Sequence, residues 1–557
     1  WATNDNTGAT VNFLIDGRDA NDDGFRLSRY SNSIVQFAVN DIDSESSVNA
    51  IDDGNWHYIS GTTNGTLGVV YIDGFVNGTA DTSAETIDTS TNFKIGTRSF
   101  STPTNYWNGD VDEIRIHNAT QTAEWINTEY NNQNSPELFA LEGTPEEGFD
   151  SSLFISTWNT SATSDGSSNS TTIMLPLESD GDYNFTVDWG DGSSDHITAY
   201  DQAEVNHTYA SEGVYNLEIN GTIQGFRFNN AGDKLKITDI VQWGDLNVGN
   251  NNGYFYGCEN LDASASDVLN LSGTINFAHM FRDCDSFTAD LDNWDVSNVT
   301  DFRFTFAGTD SFNGNISNWN MSGADYIHWM FQYAISFNQD LNDWDISGIS
   351  NLQEIFRGAT AFNGNISAWN TSSVTNMEEM FRDATAFNQS LNNWDVSGVE
   401  NMYGMFDNAD AFNQDISNWD TSSVTDMRYM FVRTASFNQD ISSWDVSSVW
   451  SFKGMLQWSN FNGNISTWNT SSATKFKNMF YGATTFNQDI SDWDTSSVND
   501  MSGMFYGATT FNGNISNWNV SSVTDMTQML RNTDSFNQSL NNWDVSSVTE
   551  MDEMFYD

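Results

Sequence analysis

Apolar side chains recur through the C-terminal half of the chain at a fixed period of 25 residues, with one step of 24. The clearest marker is one tryptophan per repeat, at Trp294, Trp319, Trp344, Trp369, Trp394, Trp419, Trp444, Trp468, Trp493, Trp518 and Trp543. A period of this size is typical of a solenoid, in which each coil buries its apolar side only against its neighbours. We therefore predict a stack of coils with the tryptophans in one buried column, in preference to an exposed sugar-binding platform.

Each repeat carries two apolar patterns in succession. The segment 490–498 has the LxxLxLxxN spacing of leucine-rich repeats, which predicts a strand centred on Trp493. Met501, Met504 and Phe505 follow at i, i+3 and i+4, which predicts a short helix. One coil is therefore expected to be one strand plus one short helix. An asparagine after the phenylalanine of ten coils predicts a hydrogen-bonded ladder along the stack.

The N-terminal part alternates apolar and polar positions in short segments separated by Gly, Asn and Asp, which favours antiparallel β-sandwiches. Residues 1–143 form the first predicted domain, a jelly roll, and 144–152 a linker. Residues 153–226 form a second β-sandwich, with a tight turn at WGDG. The predicted solenoid spans 227–557, with a lead-in cap at 227–254. The fold class is thus mainly β and multidomain.

Several segments resemble known families. DGNWHYISGT at 53–62 and WNGDVDEIRIHNAT at 107–120 resemble the second half of a laminin G-like, concanavalin A-like jelly roll. Family members commonly have more strands at their start, so this domain is expected to begin before Trp1. WGDGS at 189–193, with the later HTY and GVY pieces, is similar to the PKD type of β-sandwich. The MFxxAxxFNxxIS units closely resemble BspA-like leucine-rich-repeat surface proteins, which implies an extracellular protein that attaches to surfaces and other cells.

The charge balance narrows the choice of partners. Nineteen Lys plus Arg stand against 76 Asp plus Glu, a net charge of -57. Such an excess repels nucleic acid, which we exclude as a partner, and favours divalent cations and basic partners. The sequence has no apolar run of 18 residues, so no direct membrane insertion is expected within residues 1–557.

Three sets of acidic residues are candidate calcium ligands, although no cofactor is required by the prediction. The first directly follows the tryptophans and is expected either to stay hydrated, which we favour, or to recruit calcium: Asp295, Asp345, Asp395, Asp420 and Asp445. Asp19, Asn21 and Asp23 have a calcium-loop spacing, but Tyr30 stands at the twelfth position, so a hairpin turn is favoured. The jelly-roll resemblance alone suggests a third set, Asp110, Asp112 and Glu113.

Two covalent modifications are predicted. Cys258 and Cys284 occupy the same position of consecutive coils, where stacked backbones would lie about 5 Å apart, within disulfide range. In a secreted setting we favour a bridge over two free thiols. Paired Asn-x-Ser/Thr sequons would give two rows of glycans, at Asn315, Asn320, Asn365, Asn370, Asn464, Asn469, Asn514 and Asn519.

Two further groups are candidate partner contacts. Arg428, Lys453 and Lys477 share one column, with Lys475 nearby, and form the only clustered positive charge. We favour ordinary surface scatter for this cluster, and the alternative is that it docks an acidic neighbouring subunit or a glycan. The last repeat offers apolar side chains at Met551, Met554 and Phe555. Because solenoids need their ends covered, we expect further chain or another subunit to cover them.

The function that follows is non-enzymatic. The six histidines are scattered, and no catalytic triad, HExxH motif or phosphate loop is visible. We predict an extracellular cell-surface protein, the subunit of a filament or adhesive appendage assembled by head-to-tail contacts. One alternative is a monomeric adhesin that binds carbohydrate through the jelly roll. Another is a set of accessory modules of a larger secreted hydrolase.

Overall fold

The computed structural model describes residues 150–556, together with the backbone of eight strands between residues 11 and 95. The chain forms two compact units, Trp1–Gly148 and Phe149–Asp557. Across the described residues the protein is mainly β, and the only helical segment is the single 3₁₀ turn η1 (Ala203–Val205). None of the described helical segments is long and apolar enough to span a lipid bilayer.

The first unit contains two antiparallel sheets. One has the order β4-β3-β2-β1-β8 and the other the order β5-β6-β7. The strands are β1 (Val11–Asp16), β2 (Phe25–Tyr30), β3 (Val35–Val39), β4 (Ile42–Glu45), β5 (Ile59–Thr63), β6 (Leu67–Ile72), β7 (Phe75–Asp81) and β8 (Lys94–Ile95). Neighbours in chain order pair as hairpins, and β8 returns to β1. This arrangement agrees with the antiparallel sandwich predicted from the alternating pattern.

The second unit begins with a sheet of order β12-β11-β14-β9-β15-β16 and a separate pair, β10 and β13. These strands are β9 (Phe154–Asn159), β10 (Thr172–Met174), β11 (Leu177–Asp188), β12 (Ser194–Ile197), β13 (Asn206–Thr208), β14 (Val214–Phe226), β15 (Ile237–Gln242) and β16 (Asp262–Ala263). The predicted WGDG turn joins β11 to β12, and the Trp189 N–H donates to Ser193 O at 3.1 Å. Because β9 pairs with β15, one sheet connects the sandwich to the lead-in of the repeats.

A buried ion pair strengthens that connection. Lys236 Nζ lies 3.2 Å from Asp233 Oδ1, and both side chains are fully buried. Lys236 also donates to the carbonyls of Ser168, Asn169 and Thr172, while Asp233 accepts from the Ser168 N–H. A buried pair stabilises a fold only when its remaining bonds are also satisfied, as they are here. Removing either partner would leave the other charge buried and unpaired, so the intact pair holds the lead-in against the sandwich.

Each coil is a succession of β-turns. In the coil that starts at Met501, backbone N–H groups donate three residues back at Met504, Ala508 and Phe511. The tryptophan closes another turn, where the Trp518 N–H donates to Ile515 O at 3.2 Å. The apolar residues that close the turns point inward and are buried. A run of turns therefore brings Met501, Met504 and Phe505 to one face, the spacing that a helix would also produce.

The predicted short helices are absent from residues 150–556, and the backbone shows why. In the coils whose bridge residues run from Asn276 to Asp525, φ is positive three and seven residues after the bridge residue, as in Gly503 (62°) and Gly507 (67°). Non-glycine residues occupy these positions as well, for example Glu379 (51°) and Asp383 (59°). A left-handed residue every four positions is incompatible with an α-helix.

Neighbouring coils are joined by parallel hydrogen bonds from alternate residues. The N–H groups of Met501, Gly503, Phe505 and Gly507 donate to carbonyls of the following coil at 2.8 to 2.9 Å. Isolated parallel bridges, such as Asp500 to Asp525, lie on this side of the coil. The predicted strand centred on the tryptophan is wrong, because the tryptophan stands at the end of a turn.

Candidate ligand-binding face of the coils

The tryptophans form the predicted buried column. Those from Trp294 to Trp518 are at most 5% exposed. The indoles of Trp319 and Trp344 stack 6.5 Å apart at 4°. Each indole Nε1 from Trp319 onward donates to a carbonyl of the preceding coil, as Trp444 does to Ile416 O at 3.0 Å. These side chains are core and take no ligand.

The acidic column behind the tryptophans caps turns. The Oδ1 atom of each residue accepts the N–H of a serine two positions later, at 2.9 to 3.1 Å, in Asp295, Asp345, Asp395, Asp420 and Asp445. The serine bonds lower the pKa of four of these carboxyls, Asp295, Asp345, Asp395 and Asp445. Residues 150–556 contain no group of three or more His, Cys, Asp or Glu side chains placed to hold a metal. The column is explained as turn caps, and calcium binding there stays a prediction.

The predicted disulfide is not formed. Cys258 and Cys284 are both buried free thiols, and burial raises the pKa of each well above its ordinary value. Cys284 Sγ donates to Phe255 O at 3.0 Å, so it bonds to the backbone of the preceding coil. Stacking brings the two cysteines into consecutive coils, as predicted, but the thiol is directed at a carbonyl.

The sequon asparagines lie on the surface or partly exposed, and their Oδ1 atoms cap turns. Asn320 Oδ1 accepts from the N–H and hydroxyl of Ser322, and Asn315 Oδ1 accepts from the Ser317 N–H. The same geometry is found for Asn365, Asn370, Asn464, Asn469, Asn514 and Asn519. Their glycosylation stays a prediction. The candidate ligands Asp19, Asn21, Asp23, Asp110, Asp112 and Glu113 lie outside the described residues.

Cationic side chains concentrate on one face, which we call the turn face. In each coil it comprises eight consecutive residues, from the residue that forms the parallel bridge to the second residue with positive φ. Examples are 426–433, 451–458 and 475–482, and the turn face is formed by the outward side chains of these segments. All ten Lys and Arg of residues 241–556 belong to it: Arg282, Arg303, Arg357, Arg382, Arg428, Arg433, Lys453, Lys475, Lys477 and Arg531. The three segments named above carry five cations and one carboxylate, Asp426. They form a local net charge of +4 in a chain of -57.

The predicted basic cluster is brought together within that patch. Arg428, Lys453 and Lys477 are in register: the N–H of Tyr429, next to Arg428, donates to Lys453 O at 3.0 Å, and the N–H of Gly454, next to Lys453, donates to Lys477 O at 2.9 Å. Arg428 pairs with Asp426 at 2.6 Å. None of the ion pairs formed within residues 150–556 uses a lysine of this cluster: Lys453, Lys475 or Lys477.

A cavity of about 300 Å³ opens beside the cluster. Its lining combines three aromatic side chains with polar and charged ones: Arg382, Tyr403, Asp407, Tyr429, Val432, Arg433, Gln457 and Trp458. Asp407 lies between two arginines, 3.1 Å from Arg433 Nη2 and 3.5 Å from Arg382 Nε. Burial raises the pKa of Asp407, and Arg433 opposes that rise. Sequence reasoning missed this cavity, because its walls come from four coils.

The apolar residues of the last repeat differ in exposure. Met551 is 40% and Phe555 62% exposed, whereas Met554 is 5% exposed and packs in the core. Met554 therefore has little surface to offer a partner, and contact through Met551 and Phe555 stays a prediction.

Comparison with known families divides the chain in a similar way. Residues 225–344, 327–425, 389–489 and 457–557 match the model of a family described as Mycoplasma protein of unknown function, DUF285. Residues 1–127 match the Laminin_G_3 model, described as the concanavalin A-like lectin/glucanases superfamily. No curated protein and no solved structure shows significant similarity to the chain. The laminin G-like resemblance of the N-terminal region is thereby confirmed.

Proposed function

This chain belongs to the DUF285 family, and we propose that it is a non-enzymatic extracellular surface protein, the subunit of an adhesive appendage. A lectin-like domain followed by repeats is consistent with an extracellular or surface protein. The observation that supports a scaffold is the unbroken core of the second unit, which runs from Phe154 to Met554 as one cluster. Such stacks present long surfaces and rarely enclose a reaction site.

Head-to-tail assembly is supported by the way coils join. Each coil donates alternate N–H groups on one side and accepts them on the other, so its two sides are unlike and complementary. Contacts between unlike surfaces extend into filaments when they do not close into rings. The resemblance to BspA-like leucine-rich-repeat and PKD modules fits the same extracellular setting.

The test is to locate and image the protein on cells. A membrane-impermeant biotin reagent should label it, and electron microscopy with a specific antibody should show it on continuous fibres. Phe555→Asp should break such fibres, whereas Val268→Asp, which alters another exposed apolar residue, should not. Labelling only after cell lysis would rule out the surface location, and isolated particles at every concentration would rule out the filament.

A second candidate function is carbohydrate binding by the first unit. The match of residues 1–127 to a lectin and glucanase superfamily favours it. Glycan-array binding that persists after deletion of residues 149–557, the whole second unit, would support this function. Release of sugars from a bound glycan would instead identify a hydrolase and overturn the non-enzymatic proposal.

A further inference from the structure

We infer that the turn face of the coils spanning residues 401–482 binds an anionic polysaccharide, with one sugar ring seated against Trp458 in the cavity and acidic groups on the neighbouring lysines. The inference deepens the proposed surface function and rests on it. Four observations carry it: the size of the cavity, the aromatic residues of its lining, the polar residues of its lining and the adjoining positive charge.

The cavity lies where one column changes the size of its side chains. Six residues after the bridge of each coil, the side chains of Arg382 and Tyr481 are long. Between them, three successive coils place the shorter Asp407, Val432 and Gln457 at the same position. The gap of about 300 Å³ lies at the lower limit of ordinary ligand pockets, which suits one sugar ring better than a peptide segment.

The aromatic wall is held open by a glycine. Trp458 is 51% exposed, unusual for an indole, and it has a left-handed backbone with φ of 54°. Its ring lies over Gly482 of the next coil, where any Cβ would collide with it. Tyr403 and Tyr429 also line the cavity and meet edge to face at 5.5 Å. Rigid aromatic surfaces of this kind offer apolar contact to the C–H face of a sugar.

The polar residues of the lining supply both kinds of hydrogen-bonding group. Arg433 offers guanidinium N–H groups and Gln457 offers a donor and an acceptor, while the buried Asp407 carboxylate pairs with Arg433 and Arg382. Hydroxyl groups both donate and accept, so they match this mixture.

The adjoining charge selects an acidic polymer. Lys453, Lys475 and Lys477 are partly exposed and form none of the ion pairs within residues 150–556, and Lys453 Nζ lies 5.4 Å from the centroid of the Tyr429 ring that lines the cavity. Lys453 and Lys477 are one coil apart, which is about 4.8 Å along parallel hydrogen-bonded backbones. The net charge of -57 does not prevent local binding, because charges beyond about 8 Å are largely screened at physiological salt. A linear polyanion can therefore lie along the stack.

The experiment measures binding of purified residues 1–557 to immobilised heparin, hyaluronan and polygalacturonate, with neutral dextran and single-stranded poly(dT) as comparisons. We expect binding to at least one acidic polysaccharide, weakened by raising the salt from about 50 to about 500 mM. Trp458→Asn should weaken binding about tenfold, because it removes one aromatic contact. Asparagine already occupies this left-handed column at Asn408 and Asn532, so the variant should fold.

Matched variants separate the site from general effects. Tyr333→Asn alters the same column at similar exposure, 44%, away from the basic patch, and should leave binding unchanged. Gly482→Ala keeps the indole but displaces it, and should weaken binding. The triple variant Lys453→Gln, Lys475→Gln, Lys477→Gln should weaken binding about tenfold and reduce its salt dependence. Urea unfolding of each variant checks the fold.

Several results would overturn the inference. These are equal binding to dextran, tighter binding to poly(dT), equal losses in Trp458→Asn and Tyr333→Asn, or a lysine variant that changes only self-association in sedimentation. A protein that is labelled on the cell surface but binds no acidic polysaccharide would disprove this site and leave the proposed function standing. A protein that binds polysaccharide but is labelled only after lysis would do the reverse.

Discussion

At the scale of single residues, the left-handed positions determine the path of each coil. An L-residue there costs roughly 1–2 kcal/mol. The cost is offset because the same residue donates to the next coil, as Glu379 N–H does to Tyr403 O at 2.7 Å. Beneath the rings of Tyr333, Tyr429 and Trp458, the next coil places a glycine, respectively Gly358, Gly454 and Gly482. The strain is periodic, so here it marks architecture and not a reaction centre.

Substituting two glycines that occupy the same position in different coils allows the cost of backbone strain to be measured separately from that of steric collision. Gly507→Ala meets its nearest atom at 3.7 Å, so it should lower the free energy of unfolding only by the left-handed penalty, about 1 kcal/mol. Gly358→Ala adds a collision with the Tyr333 ring and should cost about 1–3 kcal/mol more. Urea unfolding measures both. Equal losses would show that the ring moves freely away.

A second residue-scale prediction concerns acid stability. Burial, and then Arg282 and Arg303, lower the pKa of His279 to about 4 from 6.5. The unfolded chain therefore binds the proton more readily, so the stability contributed by neutral His279 is complete above pH 6.5 and is lost as the pH falls towards 4. His279→Asn should flatten urea stability across that window, whereas the exposed His196→Asn should not. An unchanged slope in His279→Asn would contradict this assignment.

At the scale of the element, the spacing of the buried apolar residues in each coil was predicted correctly, but the short helix inferred from that spacing was wrong. Inward positions every three or four residues are common to an amphipathic helix and to a run of β-turns. Glycine distinguishes the two, because it recurs at the third and seventh positions, as in Gly503 and Gly507. The predicted asparagine ladder is confirmed. From Asn338 to Asn537, each asparagine N–H donates to the Oδ1 of the asparagine one coil earlier, at 2.7 to 3.0 Å.

The ladder can be tested at one rung. Asn413 Oδ1 accepts from the Asn438 N–H at 3.0 Å and from Gln439 Nε2 at 2.9 Å. Asn413→Ala removes both bonds and should lower the free energy of unfolding by about 1–2 kcal/mol, since each bond contributes about 1 kcal/mol net. Asn413→Asp keeps the acceptor oxygens and should lose less than half as much. A larger loss in the aspartate variant would show that charge outweighs the bond.

At the scale of the whole molecule, the chain combines a large negative charge with apolar residues that pack against one another from coil to coil. The second unit has one continuous core. The net charge of -57 opposes compaction through self-repulsion, and this opposition depends on salt. The cations of the repeats are gathered on the turn face, which makes that face electrostatically distinct.

Salt should therefore stabilise the protein. Raising NaCl from about 10 mM to about 0.5 M should increase the midpoint of urea unfolding, because screening weakens self-repulsion. At equal ionic strength, CaCl₂ should add nothing further if the acidic column serves only as hydrated turn caps. An additional stabilisation that rises with calcium concentration, and is lost in Asp420→Asn with Asp445→Asn, would instead reveal bound calcium.

The sequence by itself determined what repeats: the coil period, the buried tryptophan column, the asparagine ladder, the shared register of Arg428, Lys453 and Lys477, and the β-rich N-terminal region. These features follow from which side chains must be buried away from water, and the spacing of those side chains along the sequence identifies them. Tertiary structure decided the rest. The choice of turns over helices depends on bonds to the next coil, the Cys284 thiol is directed by a neighbouring carbonyl, and the cavity beside Trp458 is assembled from four coils. Each depends on atoms some 25 residues apart in the chain, whose contacts local spacing does not encode.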